Sequence, residues 1–586
     1  MVKKSSIAKD VIKKKYIDMN KQCNNCSKTF YIAEWDINFY KNWDVPNPDL
    51  CSDCRRQQRL AFRGANFYMR KCDLCNDIVM SFFSPKVQDF TIYCNDCWQS
   101  DKWDGFDYGR DFDGSRSFFE QFNDLYRQVP KHASNAIENE NSQYIISAHR
   151  NKNCYVGDEF DFTEDSYYGY SYQDCKDICD SVYVGKCELG YELIKCKNCY
   201  RCVYVFNSYN CMDGYFLINC RGVKNSILCS NLRNVEYHVL NKPVPKEQFE
   251  KMRAEILSGS YKILQGYIDR YEELKKKSIY PYIIGANNTE VTGNYLTRCQ
   301  DVSSAYFSNE CVNAKYISEM QKSKDMMDVD FYQVELGYQS LHIGPESSNM
   351  IGDLYVWYSN AVWYSDEVHY SQDVFGCCGL KRQKYVILNK QYSKEDFFEL
   401  RDRIVEHMKT SKEWGKFFPK NLSPHGYSQT FANRVYPLTQ EDAEAAGWNW
   451  IIDDPLYQIE GVLEDLPDSI DDVSNDICSK IILCQDCNKS YKIVPQELEF
   501  YRRFKLPLPR YCFETRNKRR FLELGPQQLW HRECMCTQPD HNHKGRPADN
   551  AWRSHAGRCP IEFETTYSPE RKEIVYCETC YQKEIY

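Results

Sequence analysis

The sequence predicts a multidomain, mainly β protein. Zinc-ribbon or treble-clef modules at both ends flank two tandem β-solenoid (β-helix-like) repeats, each ending in an α-helix. Three observations predict this. The same cysteine framework occurs near both termini. The middle carries an internal duplication at a shift of 148 residues. Within each copy, short apolar strand-like pieces recur about every 9 to 12 residues. With 586 residues, 27% charged and 42% hydrophobic, the chain is long and apolar enough for several packed domains.

The terminal modules are defined by their cysteines. Cys23 and Cys26 are followed after 24 residues by Cys51 and Cys54, and Cys484 and Cys487 after 24 residues by Cys512. A shift of 461 also superposes Phe39-Tyr40 on Phe500-Tyr501, Pro46 on Pro507, Pro48 on Pro509 and Arg55 on Arg516. A second N-terminal set is Cys72, Cys75, Cys94 and Cys97; the segment between its pairs reads as a hairpin turning at Ser84-Pro85. Its C-terminal copy keeps Cys559, Cys577 and Cys580. Two CxxC half-sites separated by a short hydrophobic hairpin build a closed tetrahedral thiolate site for zinc. Both C-terminal copies are incomplete. Thr515 stands where Cys54 does, and Cys534 is the candidate to complete that site. Cys559 lacks its near partner; Cys534 or Cys536 is the candidate, with His541, His543 and His555 competing. The expectation is about four zinc ions per chain, and four thiolates leave no coordination position for a substrate. The unit with His541, His543 and Glu533 nearby is the one place where ligands of catalytic type occur.

These ends resemble the "probable zinc-ribbon" family, in which CxxC, a Phe, a Phe-Tyr pair, a Pro-containing loop and CxxCR follow in order. The matching residues are Cys23, Cys26, Phe30, Phe39, Tyr40, Pro46, Pro48, Cys51, Cys54 and Arg55. The whole layout is similar to a group of cysteine-rich proteins from environmental bacterial and viral genomes. The resemblance implies zinc binding and carries no activity.

Between the ends, residues 232–256 match 380–404, with Tyr237/Tyr385, Asn241/Asn389, Phe249/Phe397 and Ile256/Ile404 coinciding. Each copy runs from a strand into an amphipathic helix; Ser393 with Asp396 starts the second, and Phe397, Leu400, Ile404 and Met408 follow at helical spacing. Short strands at a short period read as a solenoid, two periods of about 11 residues making one coil; an antiparallel up-and-down sheet is the alternative. Cys154, Cys175, Cys179, Cys187, Cys196, Cys199, Cys202, Cys211, Cys220 and Cys229 read as an inward ladder of small apolar residues. Cys196, Cys199 and Cys202 alternatively suggest a metal or iron–sulfur site. Trp357, Tyr358, Trp363 and serines are expected at the ladder positions of the second copy. Thr439, Asp442 and Gly447 mark a small helix, and the acidic stretch 452–476 reads as a solvated linker.

The expected domains are 1–60 and 61–110 (ribbons), 111–141 (linker and helix), 142–276 and 277–411 (repeats), 412–476 (small helical region), and 477–530 and 531–586 (ribbons). Residues 1–72 hold 15 Lys and Arg against 7 Asp and Glu, and residues 484–586 hold 18 against 14, so basic ends flank an acidic middle. The 31 cysteines, without an apolar leader at the start, fit reduced thiols in a reducing, cytoplasmic compartment. No apolar run long enough to span a membrane occurs.

No P-loop, GxSxG, HExxH or dinucleotide fingerprint is present. The leading expectation is a non-enzymatic zinc-binding scaffold or binding protein for a macromolecular partner, a component of a larger assembly included. The alternative is nucleic-acid binding through Arg55, Arg56, Arg516 and Arg519. A further alternative is a β-helix carbohydrate-active enzyme using carboxylates among Asp158, Glu159, Asp161, Glu164 and Asp165.

Overall fold

Asn and Asp enter the left-handed backbone region more readily than other non-glycine residues. From 174 to 234 they fall on a three-residue grid that includes Asp174, Asp177, Asp180, Asn198, Asn207, Asn210, Asn219 and Asn231, all with φ between 48° and 59°. Tyr183, Leu189, Tyr204, Phe216 and Leu228 fill other grid points in the same conformation. The chain therefore bends at every third residue. The structure, a computed structural model, describes residues 19–452, 462–463, 465–538, 542–544, 552–554 and 558–586.

The consequence is a long parallel ladder. Strands Tyr155–Asp161, Tyr167–Gln173, Lys176–Val182, Glu188–Ile194, Tyr200–Phe206, Met212–Ile218 and Lys224–Ser230 pair each with the next. Glu188 faces Tyr200, which faces Met212, which faces Lys224. The register is 12 residues, which corrects the expected repeat of about 22 in a coil. The longer value presumed extended strands between corners, whereas a bend at every third residue brings the chain back into register after four bends.

The residue after each bend up to 228 is buried, so every third side chain enters one core: Cys175, Ile178, Val184, Cys187, Leu193, Cys196, Cys199, Cys202, Val205 and on to Cys229, with Leu232 and Val235 half-buried at its end. Nine of the ten cysteines between 154 and 229 share this phase. A core fed from so many points has little room at each, which favours Cys, Ser and Gly beside an occasional large side chain. A Cβ at Gly169 would lie 2.1 Å from the Tyr172 ring, and one at Gly190 2.6 Å from Leu193. The thiols are also satisfied as donors: Cys196 Sγ donates to Ile194 O at 3.3 Å and Val205 O at 3.1 Å. Cys179 is out of phase and sits 3.9 Å from Tyr501 Oη.

The chain divides into two compact units. The larger comprises Gly64–Asp104, Arg127–Asp325 and Ile451–Tyr586, and holds the ladder just described. The smaller comprises Met1–Arg63, Gly105–Tyr126 and Met326–Trp450. Its strands Ser348–Ile351, Asn360–Trp363, Gln372–Phe375 and Lys384–Ile387 also pair in parallel at a register of 12. Its buried rows read Ser347, Ser359, Ser371 and Met350, Val362, Val374, Val386. Serine does here what cysteine does in the first ladder: Ser359 Oγ donates to Trp357 O at 2.8 Å and Val368 O at 3.5 Å. The expected aromatic replacements do not occupy these rows. Tyr358 is 40% exposed, because it is itself a bend with φ 52°, and Trp357 and Trp363 are half-buried, because they precede a bend rather than follow one.

Each ladder is followed by the expected helix. Lys246–Ile256 buries Phe249 and Ile256, and Lys394–Thr410 buries Phe397, Ile404 and Met408. Ser393 accepts from Asp396 N–H and Thr439 from Asp442 N–H, both at 3.1 Å. The stretch expected to be a solvated linker is packed at its end: Ile470 is buried and Pro467 O accepts from Arg510 at 2.7 Å. Residues 453–461 lie outside the described residues. Among the described residues, no helix is long and apolar enough to cross a membrane.

Candidate metal centres

The first cysteine group is built from a tight turn and a helix start. Met19–Gln22 and Thr29–Ile32 pair antiparallel, and the turn after the first strand carries Cys23 and Cys26. Cys51 caps helix Ser52–Leu60, placing Cys54 in its first turn. The four sulfurs lie within 4.8 Å of one another. Between the two halves stands helix Glu34–Asn42 rather than the expected hairpin. Asp36 accepts from Ala33 N–H at 3.0 Å to start it, and Phe39 and Tyr40 are buried.

Cys72, Cys75, Cys94 and Cys97 form the second group. The turn between Tyr68–Lys71 and Ile78–Ser81 carries the first pair, and Cys94 caps helix Asn95–Gln99. The hairpin expected at Ser84-Pro85 is not formed. Ile78–Ser81 pairs backwards, and Ile92–Tyr93 pairs in parallel with Lys131–His132 in a separate two-stranded sheet ahead of the ladder. Trp98 anchors the module there, stacked on His132 at 5.0 Å.

The C-terminal groups resolve the ligand ambiguities. Cys534, Cys559, Cys577 and Cys580 cluster together. Cys577 N–H donates to Cys534 Sγ at 3.2 Å, as Cys94 N–H does to Cys72 Sγ at 3.2 Å and Cys51 N–H to Cys23 Sγ at 3.3 Å. Cys534 is thus the first cysteine of the fourth group and does not complete the third, and Cys536 lies outside the cluster of four. The excursion between Cys534 and Cys559 hid this pairing. His541 and His555 are outside the described residues, as is the side chain of His543. The third group holds three sulfurs, Cys484, Cys487 and Cys512. Thr515 Oγ1 occupies the fourth corner, 3.6 Å from Cys484 Sγ and 3.5 Å from Cys512 Sγ.

Local electrostatics favour thiolate at one sulfur of each group. Burial raises Cys72 and Cys484, but backbone N–H donors outweigh it and bring them down to about 7 and about 6. A hydrogen bond from Cys577 pulls Cys534 down to about 5, and one from Cys54 does the same for Cys51. Thiolates are the metal-binding form. All 31 cysteines are free of disulfides.

The basic residues after each first module have a different role from the one the sequence suggested. In the smaller unit, Arg55 Nε lies 2.8 Å from Asp328, Arg56 Nε 2.8 Å from Asp330, and Arg59 bridges both carboxylates at 3.2 and 3.0 Å. All five side chains are almost wholly buried. In the larger unit, Asp180 receives Arg516 and Arg520, each at 3.0 Å, and Arg520 also reaches Glu192 at 3.2 Å. Arg55, Arg56 and Arg516 are therefore not placed to meet phosphates, which corrects the route drawn for them. Arg519 is half exposed, stacked 3.9 Å over Tyr511. Sequence reading missed these pairs, although both duplications contained them. Asp180 and Asp328 are equivalent under the shift of 148, and Arg55/Arg516 and Arg59/Arg520 under the shift of 461.

The carboxylate run in the first ladder is dispersed among neighbours. Glu159 accepts from Tyr170 Oη at 3.2 Å, and Asp161 faces His149 at 3.0 Å. Glu164 pairs with Lys176 at 3.1 Å, and Asp165 accepts from Asn153 at 2.9 Å. Asp158 is buried. Cys196, Cys199 and Cys202 do not form a cluster of the terminal type; they belong to the ladder core. No family model and no curated protein sequence matches the chain.

Proposed function

We propose that the protein is a non-enzymatic scaffold: two β-solenoids of 12-residue coils, held by structural zinc modules of treble-clef type and offering their outer faces to a macromolecular partner. One observation carries this reading. The helix that begins at a metal-binding cysteine pair is the same helix that delivers arginines to a buried aspartate of the ladder. Cys51 and Cys54 start the helix of Arg55, Arg56 and Arg59, and Cys512 starts the helix of Arg516 and Arg520. Zinc there would fix the helix start, and the helix would fix the solenoid side wall. The closed four-sulfur set of Cys23, Cys26, Cys51 and Cys54 suits that structural task and leaves no place for substrate. Free thiols throughout are compatible with a reducing, cytoplasmic setting. The family resemblance of the ends supports zinc as the metal.

The test is metal content followed by chelation. About four zincs per chain are expected, and stripping them should expose both ladders to protease. Protein that binds no metal, or that resists protease equally when stripped, would refute the reading. Nucleic-acid binding is the weaker alternative, since three of the four arginines assigned to it are buried in ion pairs.

A further inference from the structure

The third cysteine group differs from the other three in a way that changes its chemistry. Its sulfurs are arranged like theirs: Cys487 and Cys512 Sγ are 3.6 Å apart, against 3.7 Å for Cys26 and Cys51 and 3.8 Å for Cys75 and Cys94. Cys484 N–H donates to Lys489 O at 2.9 Å, reproducing the turn that Cys23 makes with Lys28 O at 2.9 Å. The corner that Cys54 fills in the first group is filled by Thr515 Oγ1, which is buried against two of the sulfurs. The neighbouring carboxylate, Asp486, is drawn to Arg519 at 3.7 Å and is not in the cluster. Cys487 is exposed, as its counterpart Cys26 is in the first group, so the identity of the fourth corner and not exposure sets this group apart.

We propose that this group is a three-thiolate metal site whose fourth position is exchangeable. Cys484, Cys487 and Cys512 supply the thiolates, and Thr515 holds the fourth corner as a neutral, displaceable oxygen. A closed four-sulfur site holds its metal by four strong anionic donors; three sulfurs and a hydroxyl leave a position that water or an incoming thiol can enter. The site would favour thiophilic divalent ions, zinc or cadmium, over oxygen-seeking ones. It would be the point at which this protein gives up or accepts metal while its other centres stay loaded. The inference rests on the proposed metal binding of the other groups but is tested separately from it.

The experiment compares wild type, Cys487→Ser and Thr515→Cys as full-length, zinc-loaded protein. Metal content is measured first, then release to a colorimetric chelator, then uptake of cadmium by its sulfur-to-metal charge-transfer absorbance. Cys487→Ser should lose one metal ion from the wild-type count. In wild type one ion should leave faster than the others by about tenfold or more, the scale on which even outer-sphere changes act on metal sites. Thr515→Cys should abolish that fast phase while keeping the count. An unchanged count in Cys487→Ser, a single release rate in wild type, or a fast phase that survives Thr515→Cys would each overturn the proposal. The double variants Cys23→Ser/Cys26→Ser and Cys72→Ser/Cys75→Ser remove two sulfurs from a closed group, so their failure to lose metal would count against the scaffold reading and not against this site.

Discussion

Replacing Asp180 by Asn keeps the shape of the side chain but removes the carboxylate that holds two buried guanidinium groups. Arg516 and Arg520 both approach it at 3.0 Å, and Asp180 is fully buried. Breaking a buried pair costs about 3–5 kcal/mol, mostly because a charge is left without compensation. Here the remaining partners soften the loss unequally. Arg520 keeps Glu192 at 3.2 Å, whereas Arg516 keeps Glu497 only at 3.9 Å. The expected destabilisation is therefore at the lower end, about 3 kcal/mol. Pulse proteolysis across a urea series, following fragments cut within 176–206, measures it. Glu138→Gln is the reference, since it removes the exposed Arg150–Glu138 pair and should leave the midpoint unchanged. Arg516→Met and Arg520→Met together with apolar residues in place of Asp180, Glu192 and Glu497 should recover much of the loss, because apolar replacement of a whole buried cluster is often neutral. An Asp180→Asn midpoint equal to that of Glu138→Gln would refute the idea that this pair fastens the module to the ladder.

Gly169→Ala places a methyl 2.1 Å from the Tyr172 ring and should destabilise the larger unit by about 1–3 kcal/mol, read by the same urea series; Tyr172→Leu in the same chain should restore part of it. Burial pushes the thiols of Cys154, Cys175, Cys220 and Cys229 up to about 12, so these should stay unreactive toward Ellman's reagent in native protein and react at once in denaturant. Burial, opposed by Arg516, raises Glu497 from 4.5 to about 7. The folded chain then keeps a proton that the unfolded chain has lost, so this residue's contribution to stability is full below pH about 4.5 and falls as pH rises toward 7. Glu497→Gln should flatten the pH dependence of the urea midpoint across that window, and an unchanged slope would contradict the assignment.

The parts of the molecule that were legible in the sequence are those where covalent spacing alone carries the information. CxxC pairs, Ser393 with Asp396 and Thr439 with Asp442 are local signals, and each appears where its spacing puts it. The cysteine ladder was readable as small apolar core, yet its phase was not used. Cys175, Cys187, Cys199 and Cys211 are spaced by 12, and Asn and Asp fall on the grid of threes, which together give the register. Hydrophobic alternation obscured it, because a strand that bends every third residue has no period of two. Spacing assigns Cys534 to the third cysteine group and leaves the fourth open between Cys534 and Cys536 for a different reason. Cys534 and Cys559 are brought together by an antiparallel pairing of Trp530–Glu533 with Glu562–Thr565, a long-range event that spacing does not encode. The buried arginines were read as a surface because a run of cations usually is one; only their coincidence with Asp180 and Asp328 under both duplications marks them as internal.

The fastening of each ladder by a distant helix also sets a timetable for synthesis. Arg55 and Asp328 are 273 residues apart, and Asp180 and Arg516 are 336 apart. At ribosomal speeds of roughly 5–20 residues per second, Asp180 emerges about 20 to 70 seconds before the arginines that neutralise it. The N-terminal arginines wait a similar time for their carboxylates. During that interval the first ladder has an uncompensated acid in its wall, and the N-terminal helix carries unpaired cations. The nascent chain is thus most exposed to misfolding in its middle, and its last modules, once translated, complete what was made first.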